Sequence, residues 1–153
     1  LGFKGYNATV STACAASNQA IGEALGVIRS GLADVVFAGG SEAGISELGL
    51  SGFSVMRALT TQNDNPASAS RPFDLNRNGF VMGEGSGMIV IEELNNAIKR
   101  NAKIYAEIIG GGLSADAYHM TAPHPDGIGA IKGRLAVARG VRLSQLDDRN
   151  RVS

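Results

Sequence analysis

The feature that most constrains this chain is the run Asp34-Val35-Val36-Phe37-Ala38-Gly39-Gly40, which is short, continuously apolar and closed by two glycines. A strand that is apolar at successive positions has no polar face to give to water, so both faces must be covered, as they are where helices flank a parallel sheet. The residues before it agree. Ala20, Ile21, Ala24, Leu25, Val27 and Ile28 recur at three- and four-residue spacing within Ala15 to Ser30, and Gly31 follows as a terminator, so the spacing predicts a helix there. Upstream, Ala8 to Thr12 carries β-branched residues and reads as a strand. Strand, helix, strand in this order predicts an α/β fold.

The rest of the chain repeats the theme. Ile45 to Leu59 reads as one helix or two short ones, and residues 60–79, with Pro66 and Pro72, as a long ordered loop. Met88 to Glu93 is a second apolar strand, Leu94 to Arg100 a short helix with Lys99 and Arg100 in its last turn, and Ile104 to Ile109 a third apolar strand. Ser114 to Gly127 holds Pro123, Pro125 and both histidines and reads as loop, followed by a helix from Ile128 to Ala138. The three apolar strands, at 34–38, 88–93 and 104–109, are expected to be central ones.

Composition excludes several functions. The 14 basic and 14 acidic residues cancel and only 5% of residues are aromatic, so the basic, aromatic-studded surface of a nucleic-acid binder is absent. No apolar run reaches the ~18 residues of a membrane helix. The single cysteine, Cys14, excludes an internal disulfide framework and any multi-cysteine metal site, and points to a reducing, cytoplasmic compartment. Gly83, Gly85 and Gly87 suggest a phosphate loop, but no Gly-Lys-Ser/Thr follows and the next element is a strand, which disfavours a nucleotide site. No cofactor and no metal is expected. Residues 132–153 carry six basic residues against two acidic ones, so the tail differs in character from what precedes it. The chain starts at Leu1, and it is read as an internal fragment: 1–140 as the central part of one domain and 141–153 as a divergent charged tail.

Chemistry centres on Cys14. Extended chain, then Ser11-Thr12-Ala13-Cys14-Ala15-Ala16-Ser17, then helix, places the sulfur at a helix N-terminus, where unpaired amides and the helix dipole favour a thiolate. The Cys14 N–H is also placed to serve as half of an oxyanion hole for a bound acyl group, and the flanking alanines keep the turn open. The plain alternative is a cysteine buried as a small hydrophobe.

Thr12-Ala13-Cys14-Ala15-Ala16-Ser17 and Ala38-Gly39-Gly40-Ser41-Glu42-Ala43 resemble segments of the β-ketoacyl-[acyl-carrier-protein] synthases, the condensing enzymes of fatty-acid and polyketide synthesis. Further similar stretches, in the same order, are Arg57-Ala58-Leu59-Thr60-Thr61-Gln62-Asn63-Asp64, Ser70-Arg71-Pro72-Phe73-Asp74, Gly79-Phe80-Val81-Met82-Gly83-Glu84-Gly85-Ser86-Gly87 and Asp116-Ala117-Tyr118-His119-Met120-Thr121. The resemblance runs from about Gly5 to Ala138 and is nearest to the elongating, type II branch.

The resemblance implies a partial thiolase-like αβαβα fold, a homodimer, and a decarboxylative Claisen condensation. In that reaction Cys14 takes an acyl group from an acyl carrier protein and malonyl-carrier protein then extends it. It further implies that Gly49 and Phe53 line the acyl pocket, that His119 and Thr121 line the pantetheine channel, and that Arg57 faces the carrier protein. Each has a plainer reading: Phe53 as core, Arg57 as a solvated surface residue, His119 as a loop histidine bonded to backbone. A Cys14–His119 hydrolase dyad is a sharper alternative. The two catalytic histidines and the lysine of the family lie C-terminal to the matched stretch, so the chain alone is expected to be inactive in condensation. Competing functions are a non-catalytic fragment or decoy, and a thiolase-type acyltransferase acting on coenzyme A esters.

Overall fold

A computed structural model of the chain describes residues 2–140. The expected divergent tail, 141–153, lies outside the described residues. The described residues form two compact units, one built from the chain up to Gly40 and from Met88 onward, the other from Ser41–Gly87.

In the first unit helix α1 (Ala16–Arg29) follows directly on a single 3-10 turn (Ala13–Ala15). Strand β1 (Val35–Glu42) pairs with strand β2 (Gly85–Glu92) in a two-stranded sheet. The core is thin and small-faced. Ala24 of α1, Ala38 of β1 and Ile91 of β2 make its buried cluster, with Ile21, Ile28, Val36 and Ile108 packed around it. Alanine at the contact lets the helix axis approach the sheet closely, which is why the spacing of small residues in α1 was a sound guide to its buried face. Where β1 ends, the approach is closer still: a Cβ on Gly40 would overlap the Ser17 hydroxyl and sit 3.2 Å from the Ser17 Cβ. Glycine at 40 therefore sets the height at which the first turn of α1 rests on the end of the strand.

Helix α3 (Leu94–Lys99) leaves β2 through Glu93, whose carboxylate caps the helix by accepting from Asn96 N–H at 3.0 Å. At its other end Arg100 donates to both carboxylate oxygens of Glu92, through Nε to Oε1 and through Nη2 to Oε2. These hydrogen bonds hold the Glu92 carboxyl below its ordinary range and raise Arg100. With the folded value lowered, the stabilisation is present above the unfolded carboxylate range and fades as pH falls through the folded one.

Two expected strands are corrected. Residues 8–12 and 104–109 pair with nothing among the described residues, so neither is a strand. Their β-branched and apolar character predicts extended chain, but a strand exists only when a neighbour completes the ladder. The apolar content of 104–109 is still used: Ile108 packs on the core cluster, and the Ile109 carbonyl accepts from Arg29 Nη2 at 2.8 Å. Residues 110–112 then pass close to two helices. A Cβ on Gly111 would lie 3.1 Å from the Gly22 Cα in α1, and one on Gly112 would overlap the Gly133 carbonyl in α4 (Ile128–Gly140).

The second unit contains α2 (Glu47–Val55), a single helix in place of the one-or-two left open by the sequence. Ser46 caps it by accepting from Gly49 N–H at 3.1 Å. The loop after it holds a short 3-10 turn, Pro66–Ser68, and a bridge between Leu59 and Phe80.

Helices α1, α2 and α3 end in one way. Beyond each last turn a residue turns left-handed, Gly31 (φ 72°), Arg57 (φ 54°) and Asn101 (φ 55°), and the next amide reaches back to the third residue from the helix end. This is a Schellman motif in each case. Glycine suits that position and asparagine tolerates it; arginine does so only with strain of about 1 kcal/mol.

Gly112→Ala is expected to destabilise the chain by about 1–3 kcal/mol, because the Gly133 backbone has no freedom to move aside. Gly83→Ala, where a Cβ meets open space, is expected to leave the thermal midpoint within a degree or two, and paired melting curves compare the two.

Candidate functional site

The junction between the extended segment 8–12 and helix α1 presents Cys14 at the surface. The cysteine occupies the middle of the Ala13–Ala15 turn and is exposed, which removes the plain alternative of a buried small hydrophobe. Ala13, just before it, has φ 51°. A left-handed alanine is strained by about 1 kcal/mol, and the strain bends the chain sharply as it enters the helix. Thr12 stands at the N-cap of the turn but caps nothing with its side chain, and Ala15 at the N-cap of α1 has no side chain with which to do so. Ala15 N–H is taken by the Thr12 carbonyl at 3.2 Å, whereas among the described residues no acceptor stands against Cys14 N–H. The result is an exposed thiol beside an open backbone donor, at the positive end of a 14-residue helix.

His119 and Thr121 belong to the same unit as Cys14. The His119 Nδ1 accepts backbone N–H groups from Thr121 at 3.1 Å and from Ala122 at 3.0 Å. A backbone N–H only donates, so the ring proton sits on Nε2. The imidazole is thus a loop histidine bonded to backbone, and its hydrogen bonds go there, not to Cys14. His124, set between Pro123 and Pro125, is half-buried: its ring lies 4.9 Å from that of Tyr118, and its backbone N–H donates to Asp116 Oδ2 at 2.8 Å.

Gly49, Phe53 and Arg57 lie on or just after α2. A Cβ on Gly49 would overlap the Gly44 carbonyl, so glycine is needed there for the chain to fold back before the helix. Phe53, 37% exposed, meets Phe80 edge to face with ring centres 5.2 Å apart. Phe80 in turn lines a cleft of about 240 Å³ together with Ile45, Leu50, Leu59 and Met82. Neither Gly49 nor Phe53 lines that cleft, and the sequence reading missed it: its walls come from the helix and from the loop on both sides of Pro66, which no local pattern brings together. Beside it Arg71 donates to Gln62 Oε1 through Nη2, while its buried Nε has no partner among the described residues. Arg57 is exposed, and its guanidinium forms no hydrogen bond or ion pair among the described residues.

No group of three or more metal-ligating side chains is found among the described residues. Among the same residues no helix is long and apolar enough to cross a membrane.

A family model described as "Beta-ketoacyl synthase, N-terminal domain" matches residues 1–97. The chain belongs to the β-ketoacyl synthase family. It is 55% identical over 149 residues to the chloroplastic 3-oxoacyl-[acyl-carrier-protein] synthase II of Arabidopsis thaliana, covering 96% of this chain and 28% of that protein. It is 52% identical over 148 residues to 3-oxoacyl-[acyl-carrier-protein] synthase 2 of Rhizobium meliloti, covering 95% and 35%. Among solved structures it superposes with TM-score 0.84 and 37% identity, over 91% of this chain and 35% of the other, on a chain of the type II PKS acyl-carrier protein in complex with its ketosynthase bound to the hexaketide. The backbone is therefore part of the thiolase-like α/β fold of the ketosynthases. The chain spans about a third of the length of these relatives.

Ala13→Gly is expected to keep the fold and raise its stability by up to about 1 kcal/mol, since glycine adopts the left-handed turn without strain. Ala13→Val is expected to lower it by more than that. Chemical denaturation of both variants, with iodoacetamide labelling of Cys14 to report the turn, checks the pair.

Proposed function

We propose that this chain is the nucleophile-bearing segment of a β-ketoacyl-[acyl-carrier-protein] synthase, with Cys14 as the acyl-accepting residue. The observation that carries this reading is the exposed Cys14 on a strained turn at the uncapped start of α1, in a chain of the condensing-enzyme family. The thiolate attacks the thioester carbonyl, the pantetheine thiolate leaves, and the acyl group stays on Cys14. Malonyl-carrier protein then loses carbon dioxide. Its carbanion attacks the acyl carbonyl, a carbon–carbon bond forms, and Cys14 departs as thiolate. Stabilising the enolate of the second step requires donors beyond Cys14, and the resemblance assigns those to histidines and a lysine outside the stretch matched here.

An acyl carrier protein is the proposed partner, supported by the names of the relatives and by the solved complex of a neighbour with its carrier protein. Arg57 would present an unpaired cation to that acidic protein, and its strained left-handed backbone supports the assignment, because glycine would serve the helix end better. His119 and Thr121 are proposed for the pantetheine channel and Gly49 and Phe53 for the acyl pocket. A homodimer in a cytoplasmic setting completes the reading, though a relative named chloroplastic carries a similar sequence.

Incubated with an acyl-carrier protein, the chain is expected to gain the acyl mass on Cys14, and Cys14→Ala to gain none; with malonyl-carrier protein added, no β-ketoacyl product is expected. Equal acylation of Cys14→Ala would sink the nucleophile assignment. Arg57→Gly is expected to stabilise the chain by up to about 1 kcal/mol and to weaken carrier-protein binding about fivefold, the worth of one exposed ion pair. Titration calorimetry at low salt reads the binding, and an unchanged affinity would return Arg57 to the plain surface.

A further inference from the structure

A chain of side-chain hydrogen bonds runs up helix α1 from the Cys14 turn. Thr12 Oγ1 donates to Gln19 Oε1 at 2.9 Å, and Gln19 Nε2 donates to Glu23 Oε1 at 2.8 Å. Gln19 and Glu23 are both partly buried, on the face of α1 that also carries Ala20, Ala24 and Val27. Direction along this chain is forced. An ionised carboxylate only accepts, so Glu23 holds the NH₂ end of the Gln19 amide and turns its oxygen toward Thr12. Thr12 must then donate, and its hydroxyl is drawn along the helix toward Gln19.

That direction matters because of where Thr12 stands. A threonine at the N-cap ordinarily turns its oxygen onto the amides of the second or third residue, here Cys14 and Ala15. In this structure it makes no such bond, although it occupies the N-cap position of the turn. The Ala15 amide is satisfied by the Thr12 carbonyl, whereas the Cys14 amide has no hydrogen-bond acceptor among the described residues.

We propose that Gln19, oriented by Glu23, is a positioning residue that keeps the Thr12 hydroxyl off the Cys14 amide, so that this N–H stays open to the oxygen of an incoming acyl group. The proposal rests on the reading of Cys14 as the acyl-accepting nucleophile. When the thiolate attacks a thioester, the carbonyl electron pair moves onto oxygen, and the Cys14 N–H binds the charge that develops. Collapse of the intermediate expels the donor thiolate, which takes a proton from solvent. A capped amide cannot give that help. Alkylation by iodoacetamide is a displacement at saturated carbon and forms no oxyanion, so it reads the thiol without the amide.

The test compares two rates on the same chain by mass: acylation of Cys14 by butyryl-pantetheine and its alkylation by iodoacetamide. Gln19→Met, which keeps the volume and removes the acceptor, is expected to slow acylation about tenfold and to leave alkylation within about twofold, a fraction of the loss that follows complete removal of an oxyanion donor. Gln19→Ala replaces it should methionine not be accommodated. Thr12→Val has no hydroxyl to misplace and is expected to acylate near the wild-type rate; Thr12→Val with Gln19→Met is expected to recover it. A structural tether would behave differently, since Thr12→Val would then be as slow as Gln19→Met. That result, or unchanged acylation in Gln19→Met, overturns the proposal. Failure of the underlying reading looks different again: wild-type chain whose Cys14 acylates no faster folded than denatured.

Discussion

Everything at the Cys14 site depends on how closely α1 lies on β1. Ala24 and Ala38 meet in the core, and where the strand ends, Gly40 brings its backbone against Ser17 with no room for a side chain. That contact fixes the first turn of the helix against the end of the strand. In α/β folds reactive groups gather at such strand ends, because the chain must reverse there and leaves helix amides pointing outward. The left-handed Ala13 is the local expression of the same constraint: chain arriving from residues 8–12 has to turn sharply to enter a helix whose position is already set. Strain at one alanine is a small cost beside the packing that imposes it.

Much of this was legible before any coordinates. Small residues at three- and four-residue spacing located α1 and its buried face, the apolar runs located β1 and β2, and the order of elements around Cys14 placed the thiol at a helix start. The failures have one physical origin. Residues 8–12 and 104–109 have strand composition, but pairing is a property of two segments, and neither finds a partner among the described residues. Local pattern reports what a segment buries; Ile108 is packed as its apolar character requires, without a ladder. The Thr12–Gln19–Glu23 chain was equally out of reach, because glutamine and glutamate in a helix look like ordinary solvated residues until their burial is known. The same holds for the Phe53–Phe80 contact, which joins residues far apart in the chain.

The three helix ends illustrate how one backbone solution accepts different side chains for different reasons. Gly31 and Asn101 occupy the left-handed position with little strain. Arg57 does not, yet the hydrogen-bond pattern around it is the same. Backbone geometry at that point is dictated by the helix termination, and the identity of the side chain is free to answer to something outside the helix.

The sheet has a consequence of another kind. Phe37 is 49% exposed, Met88 59% and Val90 55%, while the buried apolar residues among those described are mostly alanines. A core of that size removes little apolar surface from water, and the strands keep much of theirs uncovered. A molecule that covered these strands in the folded state alone would stabilise that state by mass action, and the midpoint of unfolding would then move with its concentration.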